Sequence, residues 1–359
     1  MNPQEIVVRA PGRICLFGEH QDYLRLPVIS AAISLFIEIR AVKTNDKKLT
    51  IDLLDLKQQK TIPLNNKEVP YEIRRDYLRS AYNQFIRKGF RLNQGYHCRI
   101  SGTIPINAGV SSSSALVIAW ITFLAHIFEV HLKPNQIAEL GYQAEVDEFN
   151  EAGGMMDHFT AALGGLLYIQ TTRPYICEQL RKPLTGFILG DSLQRKDTVS
   201  DLTHVREQVQ IGMARLRNLY KDFNLKTTSL EKVSPYLSSL NPDWAEKITA
   251  NLINRDLTQE ARMLLVSNNF TPEAFGELLN LHHTQLSQNL GISTPKIELL
   301  IKAAKIAGAL GCKINGSGFG GCMIAYAPTN EENVVNAIEA VGGKAYILSI
   351  GEGCKIYFE

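Results

Sequence analysis

From Ser114 to Phe128 the chain is apolar on most faces of a helix. Such a helix cannot lie on a surface and has to be enclosed by other elements. With 359 residues, 45% of them hydrophobic, the chain is long enough to enclose it and to form two domains. EIVVRA (5–10), PVISAAISLFIEIRAV (27–42), LTIDLLD (49–55) and YHCRISG (96–102) read as strands by their β-branched content, the second as one or two strands broken near Ser30. DYLRSAYNQFIRKGF (76–90) places Leu78, Tyr82, Phe85 and Ile86 at helical spacing and ends at Gly89. Pro134 opens a further helix, broken at Gly153-Gly154, and residues 157–170 read as a short helix, a glycine turn and a strand. The middle, 195–290, is rich in helix formers, and TPKIELLIKAAKIAGAL (294–310) is a helix with a Thr-Pro start. CKING, CMIAYA and the closing GEGCKIYFE supply strands. Strands and helices mix in both halves without regular alternation, which predicts an α+β fold rather than a doubly wound sheet. The boundary is expected near 180, giving domains 1–180 and 181–359.

Composition excludes several functions. Lys and Arg total 38 against 36 Asp and Glu, a net charge of +2, so there is no basic footprint for nucleic acid or an anionic membrane. Cys15, Cys98, Cys177, Cys312, Cys322 and Cys354 form no CxxC pair and are sparse for a disulfide framework, which argues against a zinc site and for a reducing compartment. MNPQEIVVRAPGR lacks the basic-then-apolar layout of a signal peptide, and the longest apolar run, Ala115 to Ala125, is too short to span a bilayer. A soluble cytoplasmic protein is the expectation.

Three stretches carry chemistry. GRICLFGEHQDY (12–23) sets Arg13, Glu19, His20 and Asp22 among apolar neighbours at the mouth of the first strand. PINAGVSSSSAL (105–116) sets Gly109 and four serines directly before the apolar helix. A helix N-terminus offers unpaired N–H groups and positive dipole character, small side chains admit a phosphate to them, and a serine hydroxyl can ligate Mg²⁺. The rival reading is a serine cap on a buried helix. The loop lacks GxxxxGK[ST], so a phosphate bound here would be held without a P-loop lysine. NGSGFGGC (315–322) formally contains GxGxxG, but a strand follows it rather than a helix, which argues against a dinucleotide fold and for a glycine-rich turn closing over a ligand. A plain hairpin is the rival, although four glycines in six residues exceed what a hairpin needs.

AEVDEFNEAGGMMDHF (144–159) adds Glu145 and, twelve residues later, Asp157. Glu145 suits a divalent metal at phosphates, and Asp157 suits a base facing an acceptor hydroxyl. The plain alternatives are a solvated face for Glu145, Asp147 and Glu148, and a helix cap for Asp157.

Taken together, APGRICLFGEHQDY, PINAGVSSSSAL and NGSGFGGCMIAY resemble, in order and spacing, the three signature motifs of the GHMP small-molecule kinases, and most of all those of galactokinases. Gly12-Arg13, Gly18-Glu19-His20 and Asp22-Tyr23 match the first motif, and Gly316 to Cys322 the third with one Ser. The segment from Ala144 to Asp157 and the closing GxGCKIY fit as well. The resemblance implies a two-domain α+β fold with the active site between the domains, and an ATP- and Mg²⁺-dependent transfer to the anomeric hydroxyl of galactose or a related sugar. It assigns Arg13 and Asp157 to the catalytic pair. Glu19, His20, Asp22 and Gly154 fall at acceptor contacts, and Thr203 stands where galactokinases place a sugar-touching tyrosine. Gly109, Val110, Ser111, Ser112, Ser113 and Ser114 match the triphosphate loop, and Gly316, Ser317 and Gly318 the loop reaching the phosphates from the second domain. Ser113 and Glu145 match the metal ligands.

The chain departs from the pattern at Leu24-Arg25-Leu26, where galactokinases have Asn-Gly-Gly, and at Cys15, where they have Asn. Arg25 is open to two readings, a contact to a carboxylate on the acceptor or a solvated turn. Another GHMP acceptor (a uronic acid, an amino sugar or mevalonate) and a sensor that kept the fold without turnover are the alternatives. Retention of Arg13, Asp157, Glu145 and the serine loop weighs against the sensor.

Overall fold

The computed structural model describes residues 5–105, 109–194 and 198–359, with residues 198–202 known by their backbone alone. Residues 1–4, 106–108 and 195–197, which include the start of the serine-rich stretch, lie outside the described residues.

The first sheet is built by β1 (Ile6–Phe17), β2 (Val28–Thr44), β3 (Lys48–Leu53), β4 (Gln58–Pro63), β5 (Gly95–Gly102), β6 (Leu166–Gln170) and β7 (Ile176–Leu180). A late strand, Lys355–Phe358, joins it by pairing antiparallel with β1. The order from that edge runs through β1, β2, β5, β3 and β4, and β6 with β7 continues from the other end of β2. Over this sheet lie α1 (Tyr77–Arg87), α2 (Ser112–Ile127), α3 (Pro134–Tyr142) and α4 (Met156–Leu163). As its composition demands, α2 is enclosed: Val117, Trp120, Ile121 and Phe123 are all fully buried. The Trp120 indole N–H donates to the Leu78 carbonyl at 3.0 Å, so its one polar atom is satisfied inside the core.

The second sheet is antiparallel, with β11 (Lys344–Leu348), β8 (Phe187–Asp191), β10 (Cys322–Tyr326) and β9 (Gly311–Asn315) in that spatial order. Around it pack α5 (Thr198–Leu219), α6 (Leu230–Leu237), α7 (Pro242–Val266), α8 (Pro272–Thr284), α9 (Pro295–Ile306) and α10 (Glu331–Ala340). Three of these helices start alike. Asn241, Thr271 and Thr294 each accept a first-turn N–H in their side chain, and each precedes a Pro at the first helical position. The fold is the expected two-domain α+β arrangement, and the strand Lys355–Phe358, β12, carries the chain back to the first sheet.

Local readings need amending. Residues 28–44 form one continuous strand, with no break at Ser30. Ser30 pairs with Cys15 and Leu167 on either side, and its buried hydroxyl is bonded to Thr160 Oγ1 at 2.5 Å, so the polar side chain has a partner without interrupting the ladder. The helix from Pro134 does not run to the glycines. It passes into a π turn at Gln143–Asp147 and ends by Asn150, whose φ is +51°. All six cysteines are free thiols. No helix among the described residues is long and apolar enough to cross a membrane.

Candidate active site

β1 delivers Arg13 to the seam between the two sheets. The β1–β2 register slips between Pro11 and Arg13, and such an irregularity re-aims a side chain. Arg13 N donates to Val110 O at 3.1 Å and Nη1 to Gly109 O at 2.7 Å, which fixes the strand against the serine loop. Arg13 Nε and Nη2 then meet the two carboxylate oxygens of Asp157 at 2.6 and 3.1 Å. Asp157 is not a cap: α4 starts at Met156 behind Met155, and the carboxylate turns to Arg13 from the helix's first turn, where the dipole favours negative charge. Burial pushes Asp157 up, but the charge of Arg13 and its hydrogen bonds outweigh it and hold the carboxyl below its ordinary value.

Asp22 occupies a single 3₁₀ turn, Asp22–Leu24, and faces Gly154. A Cβ at Gly154 would fall 2.0 Å from Asp22 Cγ, so only glycine admits the carboxylate there. Burial, and then the negative charge of Asp157, push Asp22 up to about 6. Two neighbouring carboxylates thus differ in proton affinity because only one of them owns the arginine.

His20 and Glu19 are engaged by the protein itself. His20 Nε2 lies 3.0 Å from the Ser317 carbonyl and Nδ1 2.9 Å from Tyr23 Oη. A carbonyl only accepts, so in the neutral ring Nε2 donates and Nδ1 accepts the tyrosine hydroxyl. The ring is therefore a strut from the first motif to the glycine loop. Glu19 Oε1 accepts from Lys313 Nζ, and the lysine also donates to Cys15 O and Ile314 O at 2.9 Å each. Lys313 and Glu19 are both buried, and Glu19 Oε2 has no hydrogen-bond partner among the described residues. Burial pushes the nearby His282 well below its ordinary value, so it stays neutral beside this pair.

At the head of α2, Ser111 takes the cap position with a left-handed φ of +66° and its side chain makes no capping bond. The serines are thus not explained as caps. Ser111, Ser112, Ser113 and Ser114 line one cavity with the first-turn N–H groups of α2, which have no intrahelical acceptor. The glycine stretch closes the β9–β10 hairpin against the same loop. Gly316 has a φ of +77°, and a Cβ there would sit 2.6 Å from Gly109 O. Glu145 stands on the π turn, buried, with His158 Nε2 2.7 Å from its Oε2. The solvated-face reading fails for Glu145 and for Glu148, which binds Arg87 at 2.6 Å, while Asp147 is exposed.

The structure brings Arg13, Glu19, His20, Asp22, Gly109, Ser111 to Ser114, Glu145, Gly154, Asp157, Gly316 and Ser317 around one cavity of about 380 Å³. Three candidates do not line it. Val110 is buried and contributes its carbonyl to Arg13. Gly318 packs on Ile292, whose carbonyl a Cβ would approach to 2.5 Å. Thr203 lies on α5 without reaching the cavity. Arg25 is absent too, being turned to the far side of its loop.

Comparison with known proteins locates this arrangement. Residues 76–165 match the GHMP kinases N terminal domain, 265–346 the GHMP kinases C terminal domain, and 1–41 the galactokinase galactose-binding signature. The chain is 30% identical to a mevalonate kinase of Thermococcus onnurineus, over 98% of each protein. The chain belongs to the GHMP kinase family. A galactokinase of Staphylococcus saprophyticus is 26% identical over 97% of this chain and 92% of its own. In fold, the Lactococcus lactis galactokinase complexed with galactose superposes with a TM-score of 0.85 at 23% identity, over 98% of this chain and 95% of that one. Members of the family are ATP-dependent phosphotransferases.

Several residues of the candidate site escaped sequence reading. Lys313 and Asn315 alternate with apolar residues in a strand whose every position is buried, and a charge at such a position is the signal that was there to be seen. Asn315 Oδ1 accepts Cys15 N at 2.8 Å while its Nδ2 donates to Gly109 O at 3.0 Å. The carboxamide missing at Cys15 is thus supplied from β9. His158, the neighbour of Asp157, orients Glu145. For a divalent ion the fit is one carboxylate, Glu145, plus the hydroxyls of Ser112 and Ser113 in the same cavity. No group of three or more His, Cys, Asp or Glu able to hold a metal occurs among the described residues. Hard oxygen donors in small number suit Mg²⁺, which is held largely by substrate phosphates.

Proposed function

We propose that the chain transfers the γ-phosphoryl group of ATP to the anomeric hydroxyl of galactose or a related uncharged monosaccharide. The observation that carries this reading is the charge balance of the cleft. Glu19, Asp22, Glu145, Glu151 and Asp157 line it, against two guanidinium groups. Both are already paired, Arg13 with Asp157 at 2.6 Å and Arg75 with Glu151 at 2.9 Å. A polyol donates hydroxyl protons to such carboxylates, whereas an acceptor bearing its own carboxylate meets no uncommitted cation among the residues lining the cleft. The galactose-binding signature over residues 1–41 supports the same choice.

In this reading Asp157 accepts the acceptor hydroxyl's proton or orients that hydroxyl. Arg13 keeps Asp157 ionised and offsets charge on the transferring group. Asp22 accepts hydroxyl hydrogen bonds, with Glu19 lining the cleft beside it, Gly154 leaving room and His20 holding the wall. Gly109, Ser111 and the α2 N–H groups cradle the phosphates, and Gly316 and Ser317 approach from the other sheet. Glu145 and Ser113 would hold Mg²⁺, which would neutralise charge on the phosphates. Alignment and charge stabilisation supply the rate.

The mevalonate reading has one observation in its favour, the 30% identity to a mevalonate kinase along the whole chain. An acceptor panel with ADP formation as readout decides between them. ADP release with galactose or another neutral sugar, and none with mevalonate, is expected. ADP release with mevalonate alone overturns the proposal, and no release with any acceptor favours the sensor.

A further inference from the structure

The departure Leu24-Arg25-Leu26 finds no use in the cleft. It forms part of the wall of a second cavity, about 430 Å³, with no lining residue in common with the first. The same short turn separates the two: Asp22 faces one cavity and Arg25 the other.

Three elements meet at this second cavity. The first is the turn itself. Arg25 has a left-handed φ of +63° and its N–H donates to Asp22 O at 3.0 Å, while the Leu26 carbonyl accepts from Thr171 Oγ1 at 2.8 Å. The second is residues 224–228. Asn224 Oδ1 accepts Lys226 N at 2.9 Å, and Arg255 Nη1 binds the Leu225 and Thr228 carbonyls at 2.7 and 2.8 Å. That bracing presents Lys226 and Thr227 at the cavity wall. The third is α7, where Asp256 already neutralises Arg255 at 2.7 Å. Arg25 and Lys226, both exposed, have no ion-pair partner among the described residues, so the cavity wall carries two uncommitted cations from separate parts of the chain.

We propose that this second cavity binds a phosphomonoester-type dianion, gripped by the Arg25 fork and the Lys226 point charge. A planar guanidinium and a compact ammonium suit the several oxygens of a phosphate. A volume of this order takes a small metabolite. The inference rests on the cavity's own geometry and not on the identity of the acceptor.

The test is isothermal titration calorimetry on the full chain, with galactose, Mg²⁺ and a non-hydrolysable ATP analogue saturating the cleft. Inorganic phosphate and galactose 1-phosphate are the probes. The comparison is with an Arg25→Asn, Lys226→Gln double variant, asparagine being tolerant of the left-handed backbone. Saturable binding to the wild type, weakened by about tenfold or more in the double variant, is expected. A tighter sugar phosphate identifies an esterified occupant, and equal affinities identify the free anion; both uphold the site. Affinities unaltered in a double variant of normal thermal stability, or no saturable heat from either probe in the wild type, overturn it. If the double variant unfolds, Arg25→Lys and Lys226→Gln alone must each weaken binding, and unchanged affinity in both overturns it. The readout is a binding difference, so its failure leaves the acceptor panel's outcome untouched.

Discussion

Arg13 and Asp157, 144 residues apart in sequence, meet through two hydrogen bonds of 2.6 and 3.1 Å. The arginine side chain is only 7% exposed and the aspartate 26%. The aspartate is the more open partner, so it is the one an incoming acceptor can reach. Replacing Asp157 by Asn keeps the shape and removes the proton acceptor. Turnover should fall by about a hundredfold to ten-thousandfold with nucleotide affinity nearly intact, as measured by initial rates and a nucleotide titration. Undiminished turnover would refute the assignment.

Asp22 gives a pH signature. Its folded-state value of about 6 lies above that of an ordinary carboxyl, 3.8. The folded protein therefore holds this proton more tightly than the unfolded chain, and stability from this group falls as pH rises from about 4 to about 6. Asp22→Asn removes that loss. Its melting temperature should gain on the wild type as pH is raised through this window, with an upper bound of about 3 kcal/mol. The acceptor kcat/KM of the wild type should rise over the same window as Asp22 ionises, and that step should vanish in the variant.

The Lys313–Glu19 pair predicts non-additive stability effects. Lys313→Met strands the Glu19 carboxylate in the core and should cost about 3–5 kcal/mol in denaturant unfolding. Adding Glu19→Gln should recover part of that loss, since the buried charge is then gone. A double variant less stable than the sum of the singles would show that the pair is not the source.

Gly154→Ala probes the close approach to Asp22. The added Cβ, 2.0 Å from Asp22 Cγ, forces the carboxylate aside. Acceptor KM should rise by about tenfold or more, and the nucleotide KM should stay unchanged, because displacement of about 1 Å in a positioning group is felt strongly.

Much of this architecture could be read from residues alone. The Thr294-Pro295 start, the enclosed helix and the hairpin around the glycine stretch follow from local chemistry that acts within a few positions. The strand at Gln58–Pro63 went unread because it is a polar edge strand, mostly exposed, with no periodic apolar signal. Within the site, residues set by their own motif were legible, such as Arg13 and Asp157. What each of them touches was not. That Glu19 is spoken for by Lys313, and His20 by Ser317, depends on contacts spanning 294 and 297 positions, which no local pattern encodes. Arg25 shows the same limit, because only the path of its turn decides which cavity it faces.

Lys313 has a mechanical consequence. Its ammonium, on the second sheet, is tied to the Cys15 carbonyl of the first, and Asn315 beside it is tied to the Cys15 amide. Prising the sheets apart at that point would strip the ammonium of two acceptors at once, the Cys15 carbonyl and the Glu19 carboxylate. The seam is therefore stiffest at this point, since separating the sheets here strands a buried charge.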